Sequence, residues 1–301
     1  MKKRVITSVV YVIVFLAMIA LKWLVPAGWG AIGFDALFCV VSIIGCIELL
    51  NALNCTSLPQ RAVTIAFCAV IVPLYAFTEI TTGEGWLAAL ICAALYSIIL
   101  TVFHFTRFDG STGDGTAASF FAMGYCGVLC CTLTAANHFW YESTAAMLLL
   151  FLSVVLTDVC AFLIGTGLKR WIPYKLAPSI SPNKTVIGGA GGILGGIIGA
   201  ILAYFLYYGL NFIPELLEAK KLEQEIAFVV DTKILVAFIL IGFIISIFGQ
   251  AGDLFESAIK RRCNIKDMGK CLPGHGGILD RFDSMLFCGI VIILGFVLLS
   301  F

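Results

Sequence analysis

Apolar residues fall in long runs along this chain, and polar residues are confined to the gaps between them. The runs cover about 5 to 26, 31 to 53, 62 to 78, 86 to 104, 117 to 136, 145 to 167, 186 to 209, 234 to 256 and 279 to 300. Each comes close to the roughly 20 residues with which an α-helix spans about 30 Å of hydrocarbon. The pattern predicts an all-α, polytopic integral membrane protein of about nine transmembrane helices. The first run directly follows Lys2, Lys3 and Arg4 and lacks a clear small-residue cleavage site, so it reads as a retained signal-anchor.

Composition narrows the class. Of 301 residues, 61% are hydrophobic and 12% charged, against roughly 25% charged in a soluble domain. There are too few polar side chains to cover a soluble fold, and lipid must cover most of the surface. Nine spans would use about 180 residues, which leaves no large extramembrane domain. The chain reads as a single multi-span domain, 1–301, in which spans over 1–140 carry no recognisable motif and spans over 141–301 carry the polar clusters. A net charge of +1 implies no bulk attraction to nucleic acid. Most of the 12 cysteines lie inside apolar runs, where Cys behaves as a small hydrophobe. Cys263, Cys271 and His275 lack the spacing and the fourth ligand of a zinc site.

The distribution of charge sets the expected orientation. With the N-terminus cytoplasmic, the inner segments hold 15 Lys and Arg and the outer ones 4, namely Lys22, Lys220, Lys221 and Lys233. Every basic segment then faces the cytosol. Residues 104–116, rich in Gly, Ser and Thr, read as a flexible connector whose Asp109 and Asp114 have a minor prospect of touching a ligand. Residues 213–228 alternate acids and bases at helical spacing and read as an amphipathic helix on the outer membrane surface.

Two inner segments concentrate the polar chemistry. In the eighth span, about 20 residues of helix bring the chain across the bilayer near Asp253, and counting back from Phe301 puts Asp280 and Arg281 at the same depth. That depth is where lipid phosphates lie. Asp253, Glu256 and Lys260 share one helix face, and Asp280 and Asp283 are three apart on another. Grouped carboxylates suit Mg²⁺, which takes one or two of them and fills its shell with phosphate oxygens and water. They equally suit salt bridges to Lys260, Arg261 and Arg281, and spacing leaves both readings open. The turn CLPGHGGILD, Cys271 to Asp280, sets Gly276 and Gly277 before a helix N-terminus, an arrangement that favours an anion. Lys266, Lys270 and Arg281 flank it, and His275 is placed to donate to a phosphate or, in the plainer view, to cap backbone.

The other inner segment runs from Thr157 to Gly189. Asp158 lies well inside the sixth span, where an acid usually faces a polar cavity, and shares a helix face with Phe162 and Gly165. Ser181, Asn183, Lys184 and Thr185 offer donors for a phosphate or ribose just before the seventh helix. Gly188, Gly192 and Gly196 favour close helix packing over a nucleotide-binding loop, because no strand precedes them. Glu48, inside the second span, fits either a cavity or a hydrogen bond between helices.

SAIKRRCNIKDMGKCLPGHGGILDRFD, Ser257 to Asp283, closely resembles the signature of phosphatidate cytidylyltransferases, also called CDP-diacylglycerol synthases. SPNKT, Ser181 to Thr185, together with Asp158, Ala161 and Phe162, is similar to that family's second motif. The resemblance implies synthesis of CDP-diacylglycerol and pyrophosphate from CTP and phosphatidate with Mg²⁺. It further implies a metal centre at Asp253 and Asp280, with K⁺ as an optional second cation; Glu256 and Asp283, grouped with them by spacing, are further candidate ligands. On this basis Asp253, Asp280, Lys266, His275 and Arg281 are the expected catalytic residues. Asp158, Ser181, Asn183, Lys184, Thr185, Lys260, Arg261, Gly276 and Gly277 are the expected substrate contacts. The bilayer is the expected environment, the cytoplasmic face of a membrane (the cell membrane in a bacterium) the expected place of the site, and a homodimer is left open. A secondary transporter of a phosphorylated metabolite is the rival, disfavoured because the polar motifs have no N-terminal counterparts.

Overall fold

The structure, a computed structural model, describes residues 2–25, 29–106, 113–139, 143–168, 170–171, 174–221, 227–271 and 276–299. Among these the helices are α1 (Lys2–Leu24), α2 (Ile32–Ala52), α3 (Leu58–Thr82), α4 (Gly85–Thr106), α5 (Gly113–His138), α6 (Ser143–Gly167), α7 (Val186–Lys221), α8 (Thr232–Arg262) and α9 (Leu279–Leu299). From α2 onward, eight are long and apolar enough to cross a membrane. The helices follow the predicted runs, with most ends displaced by a few residues and the end of α7 by twelve.

Local chemistry explains several of those ends. Ser57 caps α3 by accepting from the Gln60 N–H, with Pro59 in the first turn, and Gly83 closes the helix in the left-handed region at φ 74°. Asp231 caps α8 by accepting from the N–H groups of Lys233 and Ile234 at 2.9 and 3.2 Å. α5 contains a π-helical stretch over Met123–Val128, a widened turn that single helices adopt where packing demands it.

α5 lies deepest in the bundle and α4 at its rim, with 67% and 22% of their apolar windows buried. Leu90, Phe77 and Phe105 project outward, as expected of a surface that lipid solvates. α7 packs tightly between α6 and α8. A Cβ at Gly199 would stand 2.6 Å from the Leu152 carbonyl on α6, and one at Gly242 on α8 would stand 2.8 Å from the Gly196 carbonyl on α7. The glycine series is therefore a packing seam, as its spacing predicts.

Two expectations are corrected. The bundle is all-α as predicted, but a strand does precede the glycines of the seventh span: β1 (Lys175–Ala177) and β2 (Ser181–Thr185) pair as an antiparallel hairpin between α6 and α7. Pro178 supplies the fixed φ of its turn, closed by the Ile180 N–H donating to the Ala177 carbonyl. Residues 213–221 do not begin a separate surface helix; they prolong α7 through Pro214, and residues 227–231 have no regular structure. Glu, Leu, Ala and Lys are strong helix formers, and extending an existing helix is cheaper than nucleating a new one.

The two ends of the bundle differ chemically. At one end lie the hairpin, the C-terminal ends of α2 and α8 and the start of α9. At the other, Asp35 on α2 accepts from Asn137 and pairs with His138 on α5, Lys22 donates to Asn137, and Trp23 donates to Asn211. The segments predicted to lie on one side of the membrane do share one end of the molecule.

Candidate active site

The hairpin is short because α6 and α7 are drawn together at Gly165 and Gly188, where a Cβ on either would meet the other's Cα at 3.2 Å. Thr185 caps α7 by accepting from the Gly188 N–H at 3.1 Å. That cap aims the preceding residue, Lys184, across to α8, where its ammonium pairs with Asp253. The Ser257 hydroxyl donates to the other Asp253 oxygen at 3.4 Å. Arg261 secures the hairpin through a bond from its Nε to the Ile180 carbonyl.

Between these parts opens a cavity of about 500 Å³ whose lining includes Asp158, Phe162, Asn183, Lys184, Gln250 and Asp253. Asp158 is close enough to Lys184, Asp253 and Arg281 to interact electrostatically with all three. One cation-bearing hairpin thus faces two acids across a hollow partly walled by apolar groups. Such a hollow suits an anionic head with an apolar body.

A second cluster adjoins it along the seam between α8 and α9, which approach so closely that a Cβ at Gly252 would stand 2.7 Å from the Asp283 carbonyl. Lys260 binds two carboxylates at once, Glu256 one turn earlier on α8 and Asp280 on α9, the latter at 2.7 Å. The second oxygen of Asp280 accepts from the backbone N–H groups of Met268 and Gly277 at 2.9 and 2.7 Å. Glu256 is fully buried, and its Oε1 has no hydrogen-bond partner among the described residues. Asp283, also buried, accepts from the Ser284 N–H and feels the charges of Asp253, Glu256 and Asp158. Five carboxylates therefore form one layer, neutralised in part by Lys184 and Lys260.

The structure brings Asp158, Asn183, Lys184, Thr185 and Asp253 to one cavity, with Arg281 close enough to act on Asp158, and Glu256, Lys260, Asp280 and Asp283 to the adjoining layer. Asp253 and Asp280 pair with different lysines, Lys184 and Lys260. Ser181 lies on the hairpin, paired in register with Ala177, and Lys266 is exposed on the loop after α8. His275 lies outside the described residues, as does Asp109. Asp114 lines a separate hollow between α5 and α8.

The glycine turn departs from its expected use. Gly276 has φ 85°, a conformation that suits glycine, and a Cβ there would stand 2.7 Å from an Asp280 carboxylate oxygen. The N–H groups that follow are occupied by the protein's own acids: Gly277 donates to Asp280, and Ile278 and Leu279 donate to Glu48 at 3.1 and 3.0 Å. The anion received at this helix start is a carboxylate from α2. Of the two alternatives for Glu48, the structure selects the hydrogen bond between helices. Gln250 had drawn no attention in the sequence. It lines the cavity and donates to the Gly189 carbonyl at 3.2 Å; a lone amide within an apolar run was the available signal.

The sequence has relatives of known description. Residues 2–299 match the model of the Cytidylyltransferase family. A protein named phosphatidate cytidylyltransferase from Staphylococcus aureus (strain COL) is 30% identical over 293 residues, 95% of each chain. Proteins of the same name from Staphylococcus saprophyticus and Staphylococcus haemolyticus are 30% and 28% identical, again over 95% of each chain. With the match running through all nine helices and both halves of the carboxylate layer, the chain belongs to the cytidylyltransferase family.

Proposed function

We propose that this protein transfers CMP from CTP to phosphatidate, giving CDP-diacylglycerol and pyrophosphate in phospholipid synthesis. The observation that carries the proposal is the carboxylate layer with its two lysines, opening on a cavity at one end of the bundle, in a chain similar to phosphatidate cytidylyltransferases over 95% of its length. In the reaction a phosphatidate phosphate oxygen bonds to the α-phosphorus of CTP while the bond from that phosphorus to the β-bridging oxygen breaks. Pyrophosphate leaves with the bond's electrons. The attacking phosphate is already anionic at neutral pH, so no side chain need remove a proton.

The protein's task is then to position and neutralise two polyanions. Lys184 lines the cavity, Arg261 holds the hairpin and Arg281 is near enough to act on Asp158; these three would bind phosphate oxygens, with Asn183 and Ser181 as hydrogen-bonding neighbours. Asp158 and Asp253 keep Lys184 at the cavity wall. Residues present suit Mg²⁺: the donors are all carboxylate oxygens, and Glu256 Oε1 is buried without a partner among the described residues. One or two of Asp253, Asp280, Glu256 and Asp283 would hold the ion, Asp280 keeping one lone pair beyond those its three N–H partners use. Among the described residues no three acids, imidazoles or thiols stand close enough to hold one metal ion, so phosphate and water would have to fill most of its shell. Mg²⁺ supplies charge neutralisation on the phosphoryl oxygens. The positive-inside charge bias supports placing this end at the cytoplasmic face, where CTP is available.

Detergent-purified protein given labelled CTP, phosphatidate and Mg²⁺ is expected to form a solvent-extractable cytidine lipid with equimolar pyrophosphate, and chelation is expected to stop it. Absence of that lipid across several detergents and salts would overturn the proposal.

A further inference from the structure

We propose that Glu48, on α2, is a positioning residue for the phosphoryl-transfer centre: it holds the start of α9 so that Asp280 faces the carboxylate layer. This rests on the function proposed above. Glu48 is 5% exposed within an apolar stretch of α2, Ile43 to Leu50, and its two oxygens accept separately, Oε1 from the Ile278 N–H and Oε2 from the Leu279 N–H. These are the donors that a helix start leaves unpaired, and a carboxylate there also meets the positive end of the helix dipole. The surrounding chain is shaped to admit it. A Cβ at either Gly269 or Gly277 would collide with the Glu48 carboxylate, so the loop before α9 and the helix start itself close around this one side chain.

The consequence reaches Asp280 directly. Its second oxygen is held by the N–H group of Met268, which precedes Gly269, and by that of Gly277, itself one of the two glycines that cradle Glu48. Two acids thereby hold the backbone at and before the helix start, and a third is tied to them: Glu48 fixes Ile278 and Leu279, Asp280 fixes Met268 and Gly277, and Lys260 links Asp280 to Glu256. Loosening Glu48 would let the helix start rotate and carry Asp280 out of line. The N-terminal helices, which bear no recognised motif, would in this way take part in catalysis without touching substrate.

The two donors distinguish positioning from simple packing. In Glu48→Gln the side chain keeps its shape, but an amide offers a single oxygen, so one N–H must face an NH₂ group. The expected result is a folded, membrane-inserted protein with kcat reduced about 10- to 100-fold, the CTP KM changed less than threefold, and half-maximal activation requiring roughly tenfold more Mg²⁺. Independently of activity, amide hydrogen exchange at Ile278 and Leu279 should quicken at least tenfold in the metal-free protein, while exchange in α8 is unchanged. Gly269→Ala presses on the same carboxylate from the other side without altering the bonds of Asp280, and it should shift the Mg²⁺ requirement likewise. It also serves if the Gln variant does not fold.

Wild-type kcat and Mg²⁺ requirement in a folded Glu48→Gln or Gly269→Ala protein would overturn the assignment, as would a loss confined to thermal stability. If the wild type makes no cytidine lipid, the proposed function fails first and the inference falls with it; if the wild type is active and the variants match it, only the inference falls.

Discussion

Removing the charge of Lys260 would leave Glu256 and Asp280 facing each other with nothing between them. Their side chains are 0% and 5% exposed, and that of Lys260 is 14% exposed, so water can do little to replace the lost ammonium. Breaking a buried pair from one side costs about 3–5 kcal/mol. Lys260→Met is therefore expected to lower the detergent-solubilised protein's unfolding free energy by about that much, and a thermal midpoint within 2 °C of the wild type, on the order of 1 kcal/mol or less for a chain this size, would show that the acids carry no charge there. Asp280→Asn is gentler on the fold, since an amide oxygen still accepts from the backbone. It is expected to reduce turnover on the order of 10²- to 10³-fold, the scale of losing one preorganised charge at a phosphoryl-transfer site. The check is steady-state kinetics with helical content held constant by circular dichroism.

At the scale of elements, the site depends on how near α7 approaches its neighbours. Lys184 reaches Asp253 because the hairpin is seated on the Gly165–Gly188 contact, and the seam continues down α7 at Gly196 and Gly199. Gly199→Leu would drive a side chain into the Leu152 carbonyl, 2.6 Å from its Cβ. Overpacking of this kind costs about 1–3 kcal/mol. The substitution should lower thermal stability, and partial loss of the Lys184 contact should weaken activity further from the seam. Unchanged stability would mean that the helices are less tightly apposed than the structure has them. The hairpin illustrates a different point: three and five residues of strand were invisible to hydropathy, whereas Pro178, at the second position of its turn, was a readable signal.

At the scale of the molecule, one end carries the carboxylates, lysines and hairpin, and the other carries the Asp35, Asn137, His138 and Lys22 network. Cys271 is exposed on the first end, and most other cysteines are buried. A membrane-impermeant maleimide is expected to label Cys271 in inverted vesicles and not in right-side-out ones; the reverse pattern would turn the whole site to the outer face. Hydropathy and charge bias made the helices, their order and the two ends legible, because a helix that must satisfy its own backbone in lipid leaves a continuous local trace in the sequence. The same holds for most of the polar residues of the site, since an acid or lysine at a span's end stands out against its neighbours. What only the tertiary structure decided is who meets whom. That Lys260 takes Glu256 and Asp280 while Lys184 takes Asp253, and that Glu48 caps a helix beginning 231 residues later, follows from how the helices pack, and pairing across such separations leaves no periodicity in a single chain to be read.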